Sequence, residues 1–248
     1  MAKPQPRLLT VLRQQDVTPN MRRITLGGPG YQGFPADQEG AYIKLFIESE
    51  RGSGVRTYTV RKQRHEQGEI DVDFVLHGDH GLAAHWATNV RPGEEIKVGG
   101  PGPRKTLDPT ADWFFVVGDM TALPAISVNL ELLPADAQGV AVLEIIDEAD
   151  RQSLQAPAGL DIQWVVNPHP GEGDSVLAAA AKSVAWRDGA AAAWSATEFE
   201  TMREMRAYLR GRGIERSRFY VSSYWKYGLS EDQHKVVKRQ DAETVDEG

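Results

Sequence analysis

The chain predicts a β-barrel plus α/β architecture: a six-stranded antiparallel barrel over residues 1–107, then an open, mainly parallel α/β domain over residues 108–248 with a C-terminal helix. Three observations predict it. Up to about residue 107 the sequence is a series of short strand candidates divided by Gly/Pro-rich turns, the pattern of small antiparallel barrels. Beyond it, short apolar runs alternate with helical segments, the pattern of a parallel sheet covered on both faces. The charge changes at the same place: residues 1–107 carry 15 Lys+Arg against 12 Asp+Glu, and the remaining 141 carry 13 against 23.

The barrel strands are "RLLTVL", "RRITL" ahead of "GGPG", "AYIKLFIE", "VRTYTVRK", "IDVDFVLHG" and "EEIKVGGPG". Gly/Pro-rich turns separate them, and "VRTYTVRK" alternates at period two as a half-buried strand does. One short helix, "GLAAHWATN", interrupts them. In the second part "WFFVVG", "VAVLEII", "IQWVV", "AAAWSA" and "RFYVSS" are buried strands, and "TALPAISVNLELL", "SVLAAAAKS" and "EFETMREMRAYLR" are helices between them. Thr197 stands three before Glu200, which predicts a capping box ahead of Phe199, Met202, Met205 and Leu209; Ser230 and Gln233 predict another. The last residues, "QDAETVDEG", read as an acidic, frayed tail.

Composition excludes several classes. At 248 residues with 41% hydrophobic and 25% charged content, the chain buries a core without staples. It has no cysteine, so disulfides, thiolate metal sites and cysteine nucleophiles are excluded. "MAKPQPRLLTVLRQQD" has no apolar leader and no segment has the length of a membrane span, so a cytoplasmic protein with no membrane partner is expected. No dense Lys/Arg stripe or nucleic-acid motif occurs, and no nucleic-acid partner is expected. A monomer is expected.

"VRTYTVRK" is unusual for a strand that only covers a core, being at once aromatic, hydroxylated and cationic. With the barrel-then-α/β order it resembles the ferredoxin-reductase-like flavoenzymes, in which an Arg-x-Tyr-[Thr/Ser] strand carries the flavin. The match falls on Arg56, Tyr58 and Thr59, with Val60 following. The chemistry agrees with the residue types: Tyr58 offers a stacking face, Thr59 and the strand amides offer hydrogen bonds, and Arg56 offers a fork for the diphosphate. The rival reading is a barrel strand with two solvated arginines and a core tyrosine.

"DFVLHGDHGLAAHWA" at 73–87, "GDMTALPAIS" at 118–127 and "YWKYGLSED" at 224–232 together resemble a narrower family, the siderophore-interacting proteins, which include ferric-siderophore reductases. The resemblance implies that Asp73, Val75 and His77 line FAD, that Ala83, Ala84 and Trp86 hold its diphosphate and nearby moieties, and that Thr121 lies beside it. Asp119 or Thr121 alternatively serves only as a helix cap. His77, His80 and His85 also permit a metal cluster, but an imidazole hydrogen-bonded beside a cofactor is the favoured reading. "AAWSATEFE" resembles a family segment that reads Trp-x-Ala-Gly-Glu, with Thr197 in place of the glycine.

The implied activity is FAD-dependent reduction of Fe(III) in ferric siderophores, with Fe(II) released in the cytoplasm and NADPH, NADH or reduced ferredoxin as donor. No catalytic acid, base or nucleophile and no resident metal are required. Cations suited to an anionic ferric siderophore are Lys44, Arg104, Lys226 and Lys235, with Lys238 a further option. Two other functions stay open: a general NAD(P)H-dependent flavin oxidoreductase, and a binding protein without turnover.

Overall fold

A computed structural model describes residues 5–76 and 81–246. His77 and His80 lie outside the described residues. The chain divides into two compact units: residues 1–105 with 127–129 and 149–154, and residues 106–126, 130–148 and 155–248.

In the first unit seven strands form one antiparallel sheet: β1 (Arg7–Thr18), β2 (Met21–Gly27), β3 (Tyr42–Ser49), β4 (Gly52–Thr59), β5 (Lys62–Arg64), β6 (Glu69–Val75) and β7 (Glu95–Gly102). Their order is β4-β3-β7-β1-β2-β6-β5. The helix α1 (Leu82–Asn89) packs against β3, β4 and β6. The expected six strands are therefore seven, because "VRTYTVRK" is not one strand. It breaks after Thr59, where the Val60 N–H donates to the Ala41 carbonyl (2.9 Å) and its carbonyl accepts from Gly40 (2.8 Å). Arg61 N–H then turns to the Asp71 carbonyl (2.8 Å) and β5 pairs with β6. Alternation at period two continues through this change of partner, so the pattern does not register it.

The inner face of this sheet is apolar apart from Arg56 and Tyr58 on β4: Leu9, Val11, Ile24, Leu26, Ile43, Leu45, Ile70, Val72 and Phe74 are fully buried. On the other face β6 presents Glu69, Asp71 and Asp73, all buried and all paired. Arg13 forks Glu69 (2.7 and 2.7 Å), Arg23 forks Asp73 (2.7 and 2.8 Å), and Arg64 forks Asp71 (2.6 and 2.9 Å) while also bonding Glu69. Thr25 donates a further bond to Asp71 (2.7 Å). The Arg13 hydrogen bonds, reinforced by Arg64 against the cost of burial, hold Glu69 down at about 2. Burial alone would raise Asp71, but Arg64 and Thr25 bring it below its ordinary value.

In the second unit β8 (Trp113–Gly118), β9 (Gln138–Ile145), β10 (Gly159–Val166), β11 (Ala191–Glu198) and β12 (Phe219–Trp225) form an all-parallel sheet. Its order is β10-β9-β8-β11-β12. The helices are α2 (Leu123–Glu131), α3 (Val176–Ser183), α4 (Phe199–Gly211) and α5 (Glu231–Asp246). The strand order reverses between β8 and β11, and the crevice outside their carboxyl ends is where open α/β sheets bind ligands.

Two local expectations are corrected. The α4 cap is Glu198, whose Oε2 accepts from the N–H groups of Glu200 (2.5 Å) and Thr201 (3.3 Å). Thr197 remains in the strand and its hydroxyl is spent on the Glu198 carbonyl (3.0 Å). The expected tail is helical as far as Asp246, because Arg206 on α4 forks Asp241 (2.7 and 2.9 Å). The Ser230–Gln233 box forms as expected: Gln233 Oε1 accepts from the Ser230 N–H (2.9 Å) and Ser230 Oγ from the Gln233 N–H (3.4 Å).

The helix α5 is fastened to β12 by the buried pair His234 Nε2 and Ser223 Oγ (2.8 Å), and Lys238 donates to Ser222 Oγ and the Ser223 carbonyl (both 2.7 Å). Burial foremost, then the Lys238 charge, depresses His234 to about 4 from 6.5. The unfolded state then takes up a proton over that interval which the folded state refuses, so this contribution to stability is complete above pH 6.5 and is lost as pH falls toward 4. Between pH 7 and pH 5 the wild type should lose about 2 kcal/mol more stability than His234→Gln, measured by urea unfolding of both proteins at the two pH values. Equal losses would show that His234 is not the group titrating.

Candidate functional site

In the first unit the register places Tyr58 opposite Ile43 and Arg56 opposite Leu45, on one face of β4, while Thr57 and Thr59 share the other face with Lys44 and Tyr42. The Tyr58 ring meets Phe74 at 4.3 Å between centroids, and Phe74 meets Trp86 at 5.4 Å. A Cβ at Gly54 would lie 2.7 Å from Arg56 Nη1 and 3.1 Å from Leu82. Its absence lets the guanidinium lie beside the first turn of α1. Arg56 Nη1 donates to the carbonyl of Val55 (3.2 Å). The α1 N-cap is Gly81, in extended conformation and without a side chain of its own to cap the helix.

A helix N-terminus opened by a glycine next to a guanidinium is the chemistry of an anion site, and of a diphosphate in particular. The small residues Ala83 and Ala84 follow directly in the first turn and are buried. A half-buried tyrosine on the same face supplies a surface for a flat ring. The residues present are of a kind that fits FAD: Arg56 and the first turn of α1 would hold its diphosphate and Tyr58 would offer its ring system a stacking face.

Other expected residues are placed differently. Val60 is buried and both its backbone groups are engaged by Gly40 and Ala41. The Asp73 carboxylate is committed to Arg23, and Trp86 is packed in the barrel core. Val75 is half-buried at the end of β6. Thr121 belongs to the second unit, where its N–H (2.9 Å) and hydroxyl (2.5 Å) both donate to Asp119. His85 lies 3.3 Å from Asn89 Nδ2, and among the described residues no cluster of three His, Asp or Glu is placed to hold a metal.

The expected cations divide between the units. Lys44 donates to Thr57 Oγ1 (2.5 Å) and lies over the Tyr42 ring, 5.5 Å from its centre. Arg104 is exposed and donates to the Glu39 carbonyl (3.3 Å). In the second unit Lys226 is paired with Glu200 (2.5 Å) and lies over Phe199, while Lys235 is paired with Glu231 (3.2 Å) and Asp232 (3.3 Å). Lys238 is tied into the α5–β12 contact, so its charge is structural.

The crevice of the second unit has a character that the sequence did not reveal. It is a space of about 60 Å³ whose lining includes Asp119, Glu144, Asp174, Thr197, Glu198 and Glu200. Asp119 accepts from Trp225 Nε1 (2.8 Å), from Thr121 and from the backbone of Glu198. Glu198 Oε1 accepts from the N–H of Tyr227 (3.2 Å). Gly171, at φ +82°, carries the rim loop past Trp225 and Tyr227, each within 2.9 Å of where a Cβ would be. Burial, then the neighbouring Asp119 and Glu198 charges, raises Glu144 to about 7 against a hydrogen bond from Asn167. Burial also raises Asp119. The available signal was an acid at the last turn of an apolar strand, as in "VAVLEII" and "AAAWSATE".

Comparison with known proteins gives a consistent result. Residues 111–228 match the family model described as siderophore-interacting protein, and residues 10–55 and 48–105 match that of the siderophore-interacting FAD-binding domain. Ferric vibriobactin reductase ViuB of Vibrio cholerae is 34% identical over 252 residues, covering 92% of each chain. The NADPH-dependent ferric-chelate reductase of Escherichia coli K12 is 28% identical over 185 residues, 65% of this chain and 71% of that one. Among solved structures, the siderophore-interacting protein SipS from Aeromonas hydrophila superposes with a TM-score of 0.85 at 35% identity, covering 96% of this chain and 98% of the other.

Proposed function

Because the chain belongs to the siderophore-interacting protein family, we propose that it is an FAD-dependent reductase of ferric siderophores that releases Fe(II) in the cytoplasm. The observation that carries the proposal is the joint placement of Arg56 and Tyr58 on one face of β4, with Arg56 beside the first turn of α1. Bound there, FAD would supply the chemistry that this family's substrate needs, since a flavin takes up electrons in pairs and delivers them singly. The protein's part is to hold the diphosphate, exclude water from the ring face with Tyr58 and Phe74, and present positive charge to the substrate. Siderophores grip Fe(III) with hard anionic oxygens, and reduction weakens that grip. Lys44 and Arg104 in the first unit supply cations for such an anion. No described helix is long and apolar enough to cross a membrane.

The test is anaerobic. Photochemically reduced holoprotein mixed with a ferric siderophore and an Fe(II) trap should recover its oxidised spectrum with matching Fe(II). Lys44→Ala should keep the flavin and weaken an anionic ferric siderophore by about fivefold at low salt, whereas Lys226→Ala should matter less because Glu200 already offsets that charge. A flavin that stays reduced with both catecholate and hydroxamate complexes would replace iron reduction with a general flavin oxidoreductase.

A further inference from the structure

Helix N-termini serve opposite purposes in the two units. In the first, α1 begins at Gly81, which has no side chain of its own to cap it. In the second, the helices that open toward the carboxyl ends of the strands are filled by the chain's own side chains. Asp119 takes the N–H of Thr121 at the entry to α2, Ser175 takes that of Ala178 in α3, and Glu198 takes those of Glu200 and Thr201 in α4. These are the amides on which a dinucleotide diphosphate would rest in a fold of this kind.

Charge and size agree with that filling. Among the described residues the carboxylates Asp119, Glu144, Glu172, Asp174, Glu198, Glu200 and Glu204 line the crevice and no lysine or arginine does; Lys226 and Lys182 offset Glu200 and Glu204, which leaves Asp119, Glu144, Glu172, Asp174 and Glu198 as the acids facing a ligand. Its 60 Å³ compares with the roughly 300 Å³ or more of a pocket that buries a small-molecule ligand. Thr197, a β-branched residue at the end of β11, occupies part of the wall and is itself buried. A pyridine dinucleotide brings two negative charges on its diphosphate, and its 2′-phosphorylated form brings about two more.

We propose that Thr197, Glu144 and the carboxylate caps Asp119 and Glu198 make this crevice reject the diphosphate of a pyridine dinucleotide, NADPH most strongly. The residues of the second unit thus do not fit the nucleotide that its fold implies. The inference rests on the flavoprotein reading only in treating the crevice as an electron-donor site. Electrons then reach the flavin from a donor that lodges no diphosphate there.

Calorimetric titration at pH 8 with NADPH and with NADH tests this without reference to turnover. Wild-type holoprotein should show no saturable binding below about 1 mM, with NADPH the weaker of the two. Thr197→Gly opens the wall, and Glu144→Gln removes a charge while keeping an acceptor for Asn167; combined, they should tighten NADPH at least tenfold. Glu144→Gln alone should tighten it severalfold, which keeps the test available if the glycine variant folds poorly. Because Glu144 titrates near 7 among Asp119, Glu172, Asp174, Glu198, Glu200 and Glu204, wild-type affinity should improve from pH 8 to pH 6 and Glu144→Gln should flatten that change. Micromolar wild-type binding of NADPH, or variants no tighter than wild type, would overturn the proposal. The photoreduced flavin's reaction with ferric siderophore does not use this crevice, so its failure would count against the reductase reading alone.

Discussion

Arg64→Ala is expected to destabilise the barrel unit by about 3–5 kcal/mol, the cost of removing one partner from a buried ion pair. Among the described residues Arg64 alone is seen to bond both Glu69 and Asp71, and those carboxylates are 8% and 5% exposed. Without it Asp71 keeps Thr25 as its side-chain donor and Glu69 keeps Arg13, whose own side chain is half exposed. Arg13→Ala should cost less for that reason. Arg64→Lys retains charge but not the fork, and should fall between wild type and Arg64→Ala. Urea unfolding of the three variants is the measurement, and an Arg64→Ala loss below about 1 kcal/mol would mean that solvent replaces the guanidinium freely. The depressed Glu69 adds a pH signature. Its contribution is present above 4.5 and is lost as pH falls toward 2.

Arg56→Ala is expected to weaken FAD by about 100-fold. Hydrogen bonds to charged groups contribute roughly 1.5–3 kcal/mol each, and loss of even one fork at the diphosphate corresponds to one or two orders of magnitude in affinity. Titration of apoprotein with FAD, followed by quenching of flavin fluorescence, gives the constant directly. Arg61→Ala is the matched control. Arg61 lies beyond the end of β4 with its N–H bonded to Asp71, so removing its side chain should change FAD affinity less than threefold. Equal losses for the two arginines would make the effect one of general positive charge and not of a placed fork.

The fold was legible wherever periodicity carries the information. Buried runs such as "WFFVVG" and "VAVLEII" became β8 and β9, and the alternating runs became barrel strands. Partner choice was not legible. A strand's pattern says which residues face inward but not which neighbour it bonds, which is why Val60 and Arg61 hid a break within "VRTYTVRK". The tail misled for a similar reason, since Asp241 looks like a solvated acid until Arg206 is brought beside it. In the candidate site, Arg56 and Tyr58 were legible because their residue types are anomalous in a core strand. Glu144 and Glu198 were not, because one acid ending an apolar strand is ordinary until the sheet order gathers several at one edge.

The order of the barrel sheet has a consequence for the cofactor. The two outermost strands, β4 and β5, are consecutive in the chain, and only residues 60 and 61 connect them. The roll therefore has a seam, with β4 on one side and β6 behind β5 on the other, and α1 touches both β4 and β6. A ligand gripped by Arg56 on β4 and by the first turn of α1 would act as a clasp over that seam. Keeping the flavin and keeping the barrel shut then become a single equilibrium, in which each bound cofactor is also a closed fastening.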